Sequence, residues 1–421
     1  MGPADPLRRR ENRLRWAVFL SATFGYSFYY VCRLSLSVVK APLVAEGALT
    51  EVQVGLVGSG LFYVYAVGKI VNGFFADRVS LRRQFSFGLL VSALVNLLLG
   101  WTTAFAGFLA LWAVNGWVQS MGAPACVVGL TRWFETRQRG TFYGLWSSSH
   151  NIGEAMTFLL TAAVVTAWGW RAGFLTAGLG GLAGAGMIWA LYRDRPVDAP
   201  RVGSDVSVST EQWHVLRSPV VWSIALASAC MYVTRYAVNS WGVFYFQNAL
   251  GRSAVEAGGL VAISSVCGVL GTVASGWVSD VVFKGDRFVP AIGFGLLNAA
   301  SLALMLWAPV EWRWAAAVAM VGFGLSIGAL VCYLGGLMAV DAVPPRAAGA
   351  ALGVVGIASY LGAGTQDVLS GWLIGRGRIG EASAAIYDFS VVRLSWIGAA
   401  CLTVFLTLLA QWFHRHRAGR R

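Results

Sequence analysis

The chain has 421 residues, 57% of them apolar and only 12% charged, where a soluble chain carries about 25% charged residues. Its net charge of +13 comes from basic residues set in loops between apolar runs. That pattern reads as membrane orientation and excludes a nucleic-acid surface.

A helix crosses the hydrocarbon core with about 20 mostly apolar residues. Such runs fall at 16–38, 53–76, 85–102, 105–130, 141–168 and 172–192, then at 219–247, 255–280, 288–308, 314–341, 347–375 and 390–413. The expected fold is an all-α membrane protein with twelve transmembrane helices in two six-helix bundles. The short alternating segments of a β-barrel are not visible.

The basic start leads into an apolar run too long for a signal peptide and without a small-residue cleavage site, so it reads as the first span. That span carries Tyr26, Tyr29, Tyr30 and Arg33. Span two carries Tyr65 and Lys69 and ends in Gly73-Phe74-Phe75-Ala76-Asp77, followed by Arg78, Arg82 and Arg83. Span five holds His150 and Glu154, one helical turn apart. The longest polar interval, 194–218, reads as a cytoplasmic linker between units 1–193 and 219–421. Span seven repeats Tyr30-Val31-Cys32-Arg33 as Tyr232-Val233-Thr234-Arg235, and span eight repeats the end of span two as Gly276-Trp277-Val278-Ser279-Asp280. Span eleven contains Asp367. Such internal repetition marks transporter folds with a site between the repeats.

Of the 32 Lys and Arg, 22 fall on the termini, the central interval and alternate loops. Seven fall on the opposite set, namely Lys40, Arg171, Arg252, Arg313, Arg376, Arg378 and Arg393. By the positive-inside rule both termini and the central interval are cytoplasmic. The six cysteines stand singly in the spans and read as packing residues, without metal-ligand or disulfide spacing. The glycines at 55, 58 and 60 lack the strand–turn–helix setting of a nucleotide loop.

The remaining basic residues, Arg33, Lys69 and Arg235, lie well inside spans. A cation at a helix centre costs about 2.5–3.5 kcal/mol on insertion scales, so these are expected to face a wet cavity. Glu154 and Asp367 are the acids well inside spans, and two acids cannot neutralise three cations. An anionic substrate is therefore expected. Guanidinium suits a tetrahedral oxyanion, because its planar fork donates two parallel hydrogen bonds and stays charged. Arg33 and Arg235 could clamp one phosphate, with Tyr26, Tyr29, Tyr30, Tyr65 and Tyr232 beside them. His150 with Glu154 could be a proton site or a structural hydrogen bond, and Asp367 could counter a cavity cation or touch substrate. No metal cluster and no nucleophile with base and orienting acid is present in the pattern. No catalytic residue, metal, cofactor or enzymatic activity is expected.

The segments GYSFYYVCRLSLSVVKAPL, YAVGKIVNGFFADR, SSSHNIG and YVTRYAVNSW closely resemble the organophosphate:phosphate antiporters of the major facilitator superfamily. The resemblance covers nearly the whole chain. It implies a rocking two-bundle fold with Arg33 and Arg235 as phosphate ligands and Lys69, His150, Tyr30 and Tyr65 around the substrate. GFFADRVSLRR is similar to the superfamily's cytoplasmic gate motif, which implies gating by Asp77 and Arg78, with Asp280 at the repeated position. The implied activity is exchange of a sugar phosphate or glycerol-3-phosphate for inorganic phosphate, by alternating access, in the cell inner membrane. The alternative is a transporter-derived sensor of external sugar phosphate, with a membrane sensor kinase as partner. Glu154 departs from the family pattern, where many relatives have a small residue, and Asp367 lies in a helix that varies with substrate.

Overall fold

A computed structural model describes residues 6–76, 79–194, 215–344, 347–380 and 385–418. Each predicted span falls on a helix or on consecutive helices. Ahead of the central interval these are α1 (Pro6–Ala45), α2 (Glu51–Ala76), α3 (Leu81–Leu99), α4 (Phe105–Gln119), α5 (Gly122–Trp133), α6 (Thr136–Met156) and α7 (Ala162–Leu191). After it come α8 (Pro219–Leu250), α9 (Ala254–Trp277), α10 (Phe288–Trp307), α11 (Arg313–Cys332), α12 (Met338–Asp341), α13 (Ala348–Arg376) and α14 (Ser390–Ala418).

Local chemistry sets the breaks. Span four is split at Ser120 and Met121, next to Gly122 and Pro124. The Gly122 position has no room for a methyl, which would lie 2.9 Å from the ring of Tyr29. Span five runs from α6 through one π-helical stretch, Thr157–Thr161, into α7. Gly169, at φ 79°, turns the chain into span six, a conformation that glycine adopts without strain. Ser218 caps α8 by accepting from the Val221 N–H, and Gly251 closes it in the left-handed region. Ser253 and Glu256 form a reciprocal capping box at the start of α9.

The exterior matches a bilayer. Leu, Val, Ile and Phe side chains are exposed along the helices, and exposed tryptophans gather at both ends of the spans. Trp101, Trp168, Trp307 and Trp314 mark one level, and Trp16, Trp189, Trp277 and Trp412 the other, as expected of two interfacial belts.

Inside, α2 packs on α13, α1 on α8, and α6 on α9. These contacts join elements on either side of the central interval. Glycine brings some backbones unusually close: a methyl at Gly324 would meet the Ser264 carbonyl at 2.2 Å, and one at Gly328 the Gly268 carbonyl at 2.1 Å. This seats α9 tightly against α11, as small residues do in membrane helices. Between α13 and α14 a short antiparallel ribbon, β1 (Arg378–Ile379) with β2 (Ile386–Tyr387), pairs Arg378 with Tyr387. It ties to Glu51 at the start of α2 through the Tyr387 hydroxyl, at 2.7 Å, and Arg378, at 3.5 Å.

Candidate functional site

Arg33 is 3% exposed, on the inward face of α1. Its Nε donates to Gln119 Oε1 on α4 at 3.2 Å, while both terminal nitrogens are buried without a hydrogen-bond partner. The guanidinium carbon lies 4.8 Å from the ring centre of Tyr30 and 4.5 Å from that of Tyr65. Gln119 is itself held: its amide donates to the Tyr29 carbonyl at 2.9 Å and to Ser92 at 2.8 Å. Ser92 donates to Asn115, and Asn115 and Asn96 both donate to the Cys32 carbonyl. This buried network fixes the backbone that carries Arg33. Its free fork is thereby aimed at one place, and an unpaired buried donor is costly.

Arg235 is 5% exposed on α8. One terminal nitrogen meets Glu154 Oε1 on α6 at 2.6 Å, and its Nε is buried without a hydrogen-bond partner. Sequence alone left Arg235 without a carboxylate; the packing of α6 near α8 supplies one. The guanidinium carbon of Arg235 lies 5.9 Å from the ring centres of both Tyr232 and Tyr236. Aromatic rings complete the wall. Tyr65 and Tyr360 lie 4.5 Å apart between centroids, Phe62 and Tyr236 4.4 Å, and Tyr232 and Tyr360 5.6 Å.

His150 is partly buried, its ring 5.8 Å from that of Tyr30. Lys69 is exposed one turn along α2 from Tyr65, 5.4 Å from the Tyr360 ring centre, and none of the described carboxylates pairs with it. Tyr26 packs on Tyr30 and Trp146. Tyr29 is the exception among the tyrosines. Its hydroxyl donates to the Phe85 carbonyl at 2.7 Å and its ring stacks on Phe85, so it braces α1 against α3 instead of facing the arginines.

Asp367 also lies apart from the arginines. Lys40, counted among the loop residues from its place near the end of span one, is fully buried because α1 continues to Ala45. Its ammonium meets Asp367 Oδ1 at 2.6 Å and Ser240 Oγ at 2.7 Å, over the ring of Trp241. Asp367 thus counters a cation that the sequence had not placed inside. With Ser59 donating to the Gly364 carbonyl and Tyr63 meeting Thr365, this cluster links α1, α2, α8 and α13 away from the arginine-rich loops. At the other end, Asp280 is exposed and pairs with Arg287, which also reaches Asp341 at 3.4 Å. Asp77 and Arg78 lie outside the described residues, as does most of the 194–218 interval.

Gln119, Lys40, Tyr236 and Tyr360 were not singled out in the sequence. Gln119 had a readable signal, a long polar side chain one turn after Asn115 in an otherwise apolar run.

The Major Facilitator Superfamily is matched over residues 19–365. The chain is 34% identical to "Membrane sensor protein UhpC" of Salmonella typhimurium, over 86% of this chain and 85% of that one. It is 28% identical to a "Probable hexose phosphate transport protein" of Chlamydia pneumoniae, over 85% of each chain. It is 28% identical to a "Glycerol-3-phosphate transporter" of Haemophilus influenzae, over 88% of each. In fold it is similar to the nucleoside transporter NupG, with a TM-score of 0.78 at 11% identity over 94% of this chain and 99% of that one. A bacterial homologue of the lysosomal transporter Spinster gives 0.73 at 18% identity, covering 99% and 98%. The chain belongs to the organophosphate:phosphate antiporter family of the Major Facilitator Superfamily, a multi-pass membrane protein of a transporter family and not an enzyme.

Proposed function

We propose that this chain carries a phosphorylated small metabolite, a sugar phosphate or glycerol-3-phosphate, across the inner membrane in exchange for inorganic phosphate. One site alternates between the two sides as units 1–193 and 219–421 rock about it, with 194–218 as the cytoplasmic linker and both termini cytoplasmic. The observation that carries this reading is the fork of Arg33: a buried guanidinium with two unpartnered terminal nitrogens, framed by Tyr30 and Tyr65. A tetrahedral oxyanion satisfies both donors at once. Arg235 completes the clamp from the other unit, Lys69 and His150 line the way to it, and Tyr26, Tyr232 and Tyr360 form its walls.

Exchange follows from charge. Glu154 answers Arg235 and Asp367 answers Lys40, which leaves Arg33 and Lys69 without a carboxylate among the described residues. Rocking takes the site through a state with little water, where an unpaired charge is costly. A bound phosphate, carrying about one to two negative charges near neutral pH, offsets that cost and speeds the passage. Asp280, with Asp77 and Arg78, is assigned to the cytoplasmic gate.

Counterflow tests this. Liposomes loaded with labelled inorganic phosphate are diluted into buffer with or without glycerol-3-phosphate or glucose-6-phosphate. Release that requires an external ester supports exchange, and release at the same rate without any external anion refutes it. The sensor reading is favoured by the 34% and 31% identity to two proteins named "Membrane sensor protein UhpC". Tight ester binding with no flux under any loading would replace carrier by sensor.

A further inference from the structure

The two arginines differ in what already occupies them. Arg33 presents two terminal nitrogens with no partner, whereas a terminal nitrogen of Arg235 is taken by Glu154, with both side chains of that pair 5% exposed or less. A phosphate that reaches both meets an open fork on one side and a seated carboxylate on the other. Beside that pair lies a small cavity of about 20 Å³, lined by Asn151, Asn239, Ser264 and Thr272 together with the apolar Phe323 and Ile327. Asn151 stands three residues before Glu154 on α6 and is 6% exposed, and its Nδ2 donor has no partner. An unpartnered buried donor and a carboxylate lining so small a space are suited to one hydroxyl of a ligand.

We propose that Glu154 is a resident counter-anion for Arg235 and the residue that separates phosphate esters from inorganic phosphate, an inference that rests on the phosphate-binding role proposed above for the arginines. In the empty site Glu154 neutralises Arg235. Inorganic phosphate reaches Arg235 only by competing with that carboxylate, and it brings no organic arm for the neighbouring cavity. An ester of a hydroxylated carbon chain places its phosphate on Arg33 and presents one hydroxyl at the cavity. A carboxylate accepts at about four lone-pair sites, so Glu154 can receive a hydroxyl while still touching Arg235. The Asn151 amide donates to the same ligand oxygen. Glu154 therefore disfavours one ligand and favours the other.

Binding of labelled inorganic phosphate, glycerol-3-phosphate and glucose-6-phosphate to the purified full chain tests this in the parent and in Glu154→Gln. The expected result is opposite movement: phosphate affinity rises about tenfold, equivalent to about 1.4 kcal/mol, and the ester-to-phosphate preference falls by at least that factor. A merely structural role would weaken both ligands together. Because Glu154→Gln leaves a buried guanidinium without its anion, thermal unfolding is measured alongside. Phosphate is expected to raise the midpoint of Glu154→Gln more than that of the parent, since it supplies the missing charge. Glu154→Asp, which retracts the carboxylate by one methylene, should move phosphate affinity in the same direction by a smaller factor. Unchanged or weaker phosphate binding in Glu154→Gln, with no preferential rescue by phosphate, overturns the proposal while leaving the carrier reading intact. A parent protein that binds neither phosphate nor ester overturns the carrier reading, and this inference with it.

Discussion

Removing the acid from the Lys40–Asp367 pair should open the side of the protein remote from the arginine-rich loops. The pair is 2.6 Å long with each side chain 1% exposed. Ser240 bridges it, receiving from Lys40 at 2.7 Å and donating to Asp367 at 2.8 Å. Deleting one partner of such a buried pair costs about 3–5 kcal/mol, because the other charge stays buried and uncompensated. Lys40 and Asp367 belong to elements on opposite sides of the central interval, so the pair is lost when those elements part and Lys40 is rehydrated. Asp367→Asn therefore penalises the closed state alone. At about 1.4 kcal/mol per factor of ten, the equilibrium should move roughly a hundred- to a few thousandfold toward the open state. The assay is the labelling rate of a Ser59→Cys thiol by an impermeant reagent, in a background cleared of native cysteines. Ser59 is 2% exposed and donates to the Gly364 carbonyl at this junction. Labelling should accelerate strongly in Asp367→Asn and slow again when Lys40→Met is added, because no uncompensated charge then remains buried in the closed state. An unchanged rate in Asp367→Asn would refute the argument that this pair holds the junction shut.

Other expectations follow from the same geometry. Arg33→Lys keeps the charge but loses the fork, and should weaken phosphate binding roughly ten- to a hundredfold, about 1.5–3 kcal/mol; near-normal affinity by equilibrium binding contradicts the clamp. Gly58→Ala should accelerate the same Ser59→Cys labelling, because a methyl at Gly58 would lie 1.8 Å from Asp367 Oδ2; parental labelling would show that Asp367 can yield. Gln119→Leu removes the acceptor for Arg33 Nε and the donor to Ser92, and should lower thermal stability by about 1–3 kcal/mol. A Gly47→Cys thiol should react with impermeant reagent in intact cells and an Ala418→Cys thiol should not; the reverse pattern overturns the assigned orientation.

Much of this protein was legible before any coordinates. Spans followed from the length of apolar runs, because lipid forces each segment to satisfy its own backbone. Arg33 and Arg235 stood out for the same reason, as charges that cannot reach water. The repeated motifs around them identified the family, which the superfamily match over residues 19–365 and the sugar-phosphate and glycerol-3-phosphate relatives bear out. What stayed hidden was partnership. Glu154 lies 81 residues from Arg235 and Asp367 lies 327 residues from Lys40, separations over which composition and periodicity carry no signal. Lys40 looked like a loop residue because hydropathy ends the span near it, yet α1 runs on to Ala45 and buries it. Tyr29 and Tyr30 are neighbours on one helix, and only the position of α3 turns Tyr29 to brace Phe85 while Tyr30 meets Arg33. Sequence by itself determined which segments cross the membrane, since transfer cost belongs to the side chains of each run alone. The tertiary structure decided which charges are already answered and which remain open to a ligand, since pairing energy depends on distance between helices that the chain order does not contain.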